Sequence, residues 1–301
     1  VILPAFTFFA TVGCISRAGA GPVFVDVDPV TYNIDPHQVE NKITPRTRAL
    51  LVVHLFGQCA DMEPLWEIAD RHRVAIIEDA AQSFGAEYQG KRAGTLGAIN
   101  CLSFYPSKIL GACGDAGMLV TNDPEWAAKA ACLRVHGMEP KYYHPHVGWN
   151  ARMDAIQAAL LRVKLPHVNA WIEARQAAAQ RYDKLIEQHH LAQFLERPVV
   201  LPGRRHVFNQ YVIRVADGQR DALVHHLKSH HIGCDIYYPV PLHLQPCLAS
   251  MGWQLGDFPA SETVADKVLA LPIYPEITAA QQERVIHVCA EFLRQKSRKA
   301  A

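Results

Sequence analysis

Short, almost wholly apolar runs alternate with amphipathic stretches through the first half of this chain, and this alternation constrains the fold more than any other feature. The apolar runs cover residues 23–27, 49–54, 75–78, 100–104 and 118–121. Patterns typical of helices fall between them, at residues 61–72 and 124–136. Strands without a polar face belong to a sheet that helices cover on both sides. The pattern therefore predicts an α/β domain with a mainly parallel sheet, whose ligands bind at the carboxyl ends of the strands.

The second half of the chain is organised differently. A helical pattern runs from residue 154 to 190, and Pro166 breaks it because proline lacks the backbone donor that a helix interior needs. Beyond it we predict strands at residues 209–215 and 234–238 and helices at 219–230 and 279–295. We therefore expect a large domain over residues 1–165, a bridging helix over 166–195 and a smaller α+β domain over 196–301.

Composition excludes several classes of protein. The 301 residues are 50% hydrophobic and 20% charged, as in ordinary soluble proteins, and the formal net charge is +1. A near-neutral chain has no electrostatic attraction to nucleic acid or to an anionic membrane surface. No apolar run approaches the roughly 20 residues of a membrane-spanning helix, and the first residues do not form a signal peptide. We expect a cytoplasmic protein with neither nucleic-acid nor membrane partners.

The cysteine and histidine residues do not predict a metal site. The eight cysteines lack the paired spacing of a disulfide framework or a zinc site, which favours a reduced compartment. Cys101 and Cys113 lie in or beside apolar segments and are predicted to be buried. Four histidines are interpreted as the solvated face of a helix and its end: His225, His226, His230 and His231.

Two residues point to a cofactor. Lys108 follows the apolar run that ends at residue 104 and precedes a glycine-rich stretch at 111–117, whereas Asp79 follows the apolar run of residues 74–77. A lysine can form a Schiff base with the aldehyde of pyridoxal phosphate, and an aspartate can keep the pyridine nitrogen protonated. Taken singly, Lys108 could be a surface charge and Asp79 a helix N-cap. Their order and context favour the cofactor.

Short sequence motifs around these residues and along nearly the whole chain resemble those of one known family. They are PAFTF at 4–8, PVFVDVD at 22–28, ITPRT at 43–47, HLFGQ at 54–58, EDAAQ at 78–82, SFYPSK at 103–108, GWNARMD at 148–154 and YYPVPLH at 237–243. In this order they resemble the DegT/DnrJ/StrS sugar aminotransferase family, which has the type I pyridoxal-phosphate fold. In that family an N-terminal segment with a phosphate-binding helix precedes the position of Val1, and we expect that segment to be missing here.

The resemblance implies roles around the cofactor. Lys108 would hold it covalently and then act as general acid and base, while Asp79 would face the ring nitrogen. Ser103 would bind the phosphate, Gln82 would lie close to the ring, and Phe8 would stack on it. The alternatives are a plain serine at a strand end, a polar residue at a helix start and a core aromatic side chain.

Other matched residues concern the substrate and a second subunit. Asn150 would reach the phosphate of the neighbouring subunit's cofactor in a homodimer with shared active sites, and Arg152 would serve the same site. Tyr238 and His243 belong to a proline-rich loop that suits a sugar-nucleotide pocket. The alternatives are an N-cap for Asn150, a salt bridge for Arg152 and a structural connection for the loop.

The resemblance implies a transaminase that moves an amino group, with glutamate as the expected donor, to a 3-keto or 4-keto nucleotide-linked sugar in amino-sugar biosynthesis. One alternative is a sugar dehydratase relative, in which histidine replaces the Schiff-base lysine, so that Lys108 argues against it. The other is a non-catalytic or regulatory protein of the same fold. One departure is Ala116, where many family members have glycine, and a positive φ there would strain the loop.

Overall fold

The computed structural model describes residues 1–216 and 218–300, with side chains described as far as residue 294. The strands are β1 Ile2–Pro4, β2 Val23–Val25, β3 Ala49–Val53, β4 Ala75–Asp79, β5 Glu87–Tyr88, β6 Lys91–Arg92, β7 Ile99–Ser103, β8 Gly117–Val120, β9 Leu195–Glu196, β10 Arg204–Arg205, β11 Tyr211–Val215 and β12 Val268–Leu271. The helices are α1 Ala10–Arg17, α2 Pro36–Val39, α3 Met62–His72, α4 Pro124–Leu133, α5 Ala155–Lys164, α6 Val168–Gln188, α7 Arg220–Ser229, α8 Pro259–Lys267 and α9 Ala279–Ala300.

A six-stranded sheet organises the first half of the chain, in the order β2-β1-β3-β4-β7-β8. All neighbours are parallel except β7 and β8, which are antiparallel. All five residues of β3 are buried, as a strand covered on both faces requires. The predicted mainly parallel α/β sheet is confirmed, and its central strands β4 and β7 end side by side.

The second half forms a smaller α+β unit around an antiparallel sheet in the order β12-β11-β9. Helices α6, α7 and α9 pack around a buried cluster that includes Tyr182, Tyr211 and Leu227. Helix α6 also places Ile172 in the core beneath the large sheet. A short 3-10 helix, Leu165–His167, separates α5 from α6, so the predicted break at Pro166 is confirmed.

Several local predictions are wrong. The chain at 234–238 forms only an isolated bridge at Asp235 rather than a strand. Strand β8 is an outer strand whose Met118 and Leu119 are 49% and 43% exposed, so it is not buried. Cys101 and Cys113 are also exposed. Apolar character was the only signal in these cases, and it does not distinguish a core strand from one that a partner covers.

The histidine prediction is right for His225 and His231, which are exposed, and wrong for His226 and His230, which are half-buried. All eight cysteines lie among the described residues and are free. No described helix combines the length and the apolar character that crossing a membrane requires.

Candidate active site

The carboxyl ends of β4 and β7 bring the two key segments together. Asp79 is the last residue of β4, and it pairs in register with Cys101, two residues before the end of β7 at Ser103. The carboxylate of Asp79 is held from two sides. Thr11 Oγ1, in the first turn of α1, donates to Asp79 Oδ2 at 3.0 Å, and Ala81 N donates to Oδ1 at 3.1 Å. The carboxylate is therefore fixed at the edge where ligands of parallel sheets bind.

Lys108 lies on a tight loop that leaves β7. Its backbone N donates to Tyr105 O at 2.9 Å, and Tyr105 N donates to Ser103 Oγ at 3.3 Å. A Cβ at Gly111 would collide with the carbonyl of Pro106, so the return of the loop requires glycine there. Ala116 is not among the residues with positive φ, and the strain that glycine would relieve is not present.

Electrostatics connect Lys108 to Asp79. Burial lowers the pKa of the Lys108 amine, and the negative charge of Asp79 opposes that shift. A lysine whose pKa lies below its ordinary value spends more time as the neutral amine, which is the form that attacks an aldehyde.

Gln82 and Tyr238 form the wall facing this pair. Gln82 Nε2 donates to Tyr238 Oη at 2.8 Å, and Gln82 Oε1 accepts from Phe56 N at 2.7 Å. Burial raises the pKa of Tyr238, and the charge of Asp79 raises it further against the hydrogen bond from Gln82. Phe8 is 56% exposed, and its ring centroid lies 5.8 Å from that of Tyr238. The structure thus brings Phe8, Asp79, Gln82, Lys108 and Tyr238 into one neighbourhood.

A buried contact between a histidine and a carboxylate lies directly behind Asp79, and Ala60 N donates to the Nδ1 of that histidine, His54, at 3.1 Å. His54 Nε2 is 3.0 Å from Glu78 Oε1, and both side chains are fully buried. Glu78 also accepts hydrogen bonds from the backbone of Gly94 and Leu96. Burial alone would raise the pKa of Glu78, but His54 and these N–H groups lower it on balance. The pair fixes the ends of β3 and β4 against each other.

A cavity of about 290 Å³ opens beside the lysine loop, and apart from Ser107 its lining comes from residues 175–273. Its polar lining includes Ser107, Arg175, Asn209, Asp235 and Tyr237. Arg175 Nη1 donates to the carbonyls of Phe208 and Ile273, and burial lowers the pKa of Arg175 to about 10. The cavity therefore offers polar contacts next to Lys108.

The remaining sequence candidates lie elsewhere. His243 is 1% exposed; its Nε2 lies 2.9 Å from Glu262 Oε1, and its ring packs on Phe258. These contacts hold the ring against Phe258 and Glu262, and the role of His243 in substrate binding stays a prediction. Asn150 and Arg152 are exposed, and Arg152 Nε donates to Asn150 Oδ1 at 3.1 Å. Asp154 occupies the N-cap position of α5, so the N-cap interpretation of Asn150 is wrong.

Sequence reasoning missed Thr11 and the pair of His54 and Glu78. Thr11 is one small polar residue in an apolar helix, and only the fold brings it to Asp79. The contact between His54 and Glu78 could have been predicted, because each residue lies at the end of an apolar run. Neighbouring parallel strands bring such residues together.

Much of the large apolar surface lies in one stretch of sequence. Its ten members, all at least 36% exposed, define the exposed apolar face: Met118, Leu119, Trp126, Tyr142, Tyr143, Val147, Trp149, Ile156, Leu160 and Val163. This stretch adjoins the lysine loop, because Gln157 Oε1 accepts from Cys113 N at 2.9 Å and Lys164 donates to Gly111 O. Isolated apolar side chains are normal on monomer surfaces, whereas large contiguous apolar patches are typical of interaction sites.

The donor set fits pyridoxal phosphate. Four kinds of group meet at one sheet edge. The fixed carboxylate suits the ring nitrogen of the cofactor, and the half-buried amine suits its aldehyde. The hydroxyl at the strand end suits the phosphate, and the aromatic ring suits the face of the cofactor ring. Fold and site together define a pyridoxal-phosphate-dependent aminotransferase. The chain belongs to the DegT/DnrJ/EryC1/StrS aminotransferase family, whose model matches residues 1–290, and its cofactor is pyridoxal phosphate.

Three similar proteins illustrate the family. The "Pleiotropic regulatory protein" of Geobacillus stearothermophilus is 51% identical over 98% of this chain and 78% of its own length. The "dTDP-3-amino-3,4,6-trideoxy-alpha-D-glucose transaminase" of Micromonospora megalomicea is 41% identical over 97% of this chain and 78% of its own. A crystal structure of DesV from S. venezuelae in complex with a ketimine intermediate is 41% identical, with a TM-score of 0.91, over 97% of this chain and 77% of that one.

Proposed function

We propose that this enzyme transfers an amino group from glutamate to the ketone of a nucleotide-linked sugar, at carbon 3 or carbon 4. The observation that carries the proposal is the meeting of Asp79 and Lys108 at one sheet edge, beside a cavity with a polar lining. The 41% identical transaminase named for a 3-amino sugar nucleotide supports the substrate class and makes a 3-keto sugar the first to test.

Bound pyridoxal phosphate supplies an electron sink for breaking a C–H bond next to nitrogen. Asp79 would hold the proton of the ring nitrogen, and the hydrogen bonds from Thr11 and Ala81 orient its carboxylate for that task. Lys108 would bind the cofactor through Nζ and, once released, use that amine to move a proton between the cofactor and the substrate carbon. Burial supports this role because it favours the neutral amine.

Ser103, Phe8 and Gln82 would position the cofactor. Ser103 Oγ lies where β7 ends and can donate to a phosphate oxygen while it accepts from Tyr105 N. Phe8 offers an exposed ring at the mouth of the site. Gln82 uses its side chain to hold Tyr238, so it acts on this site by positioning that tyrosine.

We propose that the sugar nucleotide occupies the cavity beside the lysine loop, which Tyr237 lines, and that the neighbouring Tyr238 contacts it. Proposed domain boundaries are residues 1–165 and 196–301, joined by the helix at 166–195. The separate core clusters of the two halves, with α6 contributing to both, support this division. The polar groups of Asn209 and Asp235 suit hydroxyl groups of a sugar ring.

The active unit is proposed to be a homodimer. The exposed apolar face beside the lysine loop supports a second copy of this chain as the covering partner. Asn150 and Arg152 lie within the same stretch of sequence and would reach the partner's site.

Mixing two inactive variants tests the shared site. Lys108→Ala removes the covalent attachment, and Asn150→Ala removes the proposed contact to the partner's cofactor. If sites are shared, hybrid dimers contain one site with neither change and regain activity, up to about a quarter of the wild-type value in a random mixture. A mixture that stays inactive, or an active monomer in sedimentation, contradicts the proposal.

A regulatory function is the second candidate, because a 51% identical relative is named a pleiotropic regulatory protein. The two functions differ in a measurable way. A purely regulatory protein has no need of turnover, whereas the proposed enzyme releases 2-oxoglutarate from glutamate. The cytoplasmic location is likewise proposed, and the eight free cysteines support a reduced compartment.

The deciding experiment incubates the cofactor-loaded protein with glutamate and a panel of 3-keto and 4-keto sugar nucleotides and measures 2-oxoglutarate. Turnover with one of them supports the proposal. Turnover with a simple keto acid alone contradicts the sugar substrate, and cofactor binding without turnover favours the regulatory function.

A further inference from the structure

Three potential metal ligands meet on the small α+β unit, among the half-buried and exposed side chains of α7 and α9. His226, His230 and Glu291 each offer one ligand atom, and these atoms all lie within 4.8 Å of one another. His226 and His230 are four residues apart, which places them on one face at the end of α7. Glu291 comes from α9, 61 residues further along the chain, so no local sequence pattern predicts the cluster.

Hydrogen bonding prepares His230 as a ligand. His230 Nδ1 lies 2.9 Å from His226 O, and since a carbonyl oxygen can only accept, Nδ1 must carry the proton. The neutral ring then presents the lone pair of Nε2. A histidine that donates one ring nitrogen to a backbone carbonyl and binds a cation with the other is the usual arrangement around zinc.

His226 has an unmet polar group. Its Nε2 is buried, and no hydrogen-bond partner reaches it among the residues that the structure describes. The ring packs against Phe292 with centroids 5.3 Å apart, which restricts its movement. A buried nitrogen without a partner is costly, and a cation held between the three side chains supplies one.

We propose that His226, His230 and Glu291 form a site for a divalent transition-metal cation of the zinc class, which links the end of α7 to α9. Imidazole and carboxylate suit this class, with metal–ligand distances of about 2.0–2.2 Å and water at the open position. Ligand atoms around a tetrahedral zinc lie about 3.4 Å apart, and the exposed Glu291 side chain is free to adjust to that spacing on binding. Glu291 then leaves His287, whose Nε2 lies 3.5 Å from its carboxylate.

Calorimetric titration of the untagged, cofactor-loaded protein with Zn²⁺ alone tests the site. Glu291→Gln and His230→Gln are the test variants, and the exposed His225→Gln is the matched control on the same helix. Wild type and His225→Gln should each bind one equivalent, while both test variants bind at least ten-fold more weakly. Glu291 is exposed, so its replacement by glutamine leaves folding intact.

A second measurement separates this site from the exposed cysteines, which also bind zinc. Zn²⁺ should slow amide hydrogen exchange at the end of α7 in wild type and not in Glu291→Gln. Zinc binding of equal strength in wild type and both test variants, or no saturable binding to wild type, overturns the proposal. Protection from exchange that persists in Glu291→Gln overturns it as well.

Discussion

The sheet edge that carries Asp79 and the exposed apolar face that adjoins it have opposite characters. At the edge, polar groups are buried and have partners within the chain, as the contacts of Asp79, Gln82 and Glu78 demonstrate. On the exposed apolar face, large side chains such as Val147, 96% exposed, meet solvent. The contacts of the first region lie within one copy of the chain, whereas we propose that a partner covers the second. Substitutions at the edge should therefore act at any protein concentration, while substitutions on the face should act through assembly.

Lys108→Ala should have the largest effect. Loss of the amine removes both attachment and proton transfer, and general acid–base catalysis alone contributes about 10²–10⁴-fold, so activity should fall by more than about 10⁴-fold. Borohydride reduction followed by peptide mass spectrometry should find cofactor on Lys108 in wild type and none in the variant. The exposed Lys42→Ala serves as control, and full activity in Lys108→Ala would refute the assignment.

Glu78→Gln should have the next largest effect, which is a loss of free energy of unfolding. The substitution removes a buried carboxylate that lies 3.0 Å from His54 Nε2 and accepts from two backbone N–H groups, and losing a buried hydrogen-bond partner typically costs about 1–3 kcal/mol or more. The folded-state pKa of Glu78 is lowered, so its ionisation stabilises the fold above its ordinary pKa of 4.5, and this contribution is lost as the pH falls through the lower folded value. The difference in apparent Tm between wild type and variant should therefore be largest near pH 7 and shrink in acid.

The control for that measurement is Glu40→Gln. Glu40 also pairs with a histidine, His72, but on the surface, where ion pairs contribute little. Its Tm should stay near that of wild type. Equal losses of Tm in the two variants would mean that the buried position of Glu78 does not matter.

Asp79→Asn tests the cofactor partner at the same edge. Losing a charge that stabilises the reacting system typically costs about 10²-fold or more in kcat. Asp35→Asn is the matched control, because Asp35 caps α2 and asparagine caps equally well. Activity of Asp79→Asn within a factor of about two of wild type would contradict its role.

Ile156→Glu tests the exposed apolar face and should have the smallest effect on the activity of each assembled subunit. A central interface residue typically contributes about 2 kcal/mol or more, so dimer dissociation should become about 30-fold easier. Sedimentation should detect monomer, with activity that recovers as protein concentration rises. Leu255→Glu, equally exposed at 77% but outside this face, should leave assembly unchanged. A dimer as stable in Ile156→Glu as in wild type would remove α5 from the proposed interface.

The same contrast explains how much the sequence could predict. Strands β3, β4 and β7 could be predicted because buried parallel strands consist almost entirely of apolar residues. Asp79 and Lys108 could be selected as candidates because they lie just after two of these apolar runs. Strand β8 carries the same signal and is exposed, because apolar residues do not say whether the covering surface belongs to the same chain. Contacts between distant segments, such as Thr11 with Asp79 or Glu291 with His226, have no local signature at all.

The hydrogen bond from Gln82 to Tyr238 joins residues 156 positions apart in sequence. One end belongs to the segment that continues from Asp79, and the other belongs to the loop that bounds the cavity. Under the roles proposed above, Tyr238 contacts the substrate and Gln82 lies close to the cofactor, so a replacement of Tyr238 that admits another sugar would also disturb Gln82. New specificities should arise more readily at the exposed neighbours Pro239 and Val240, which can vary without loosening that link.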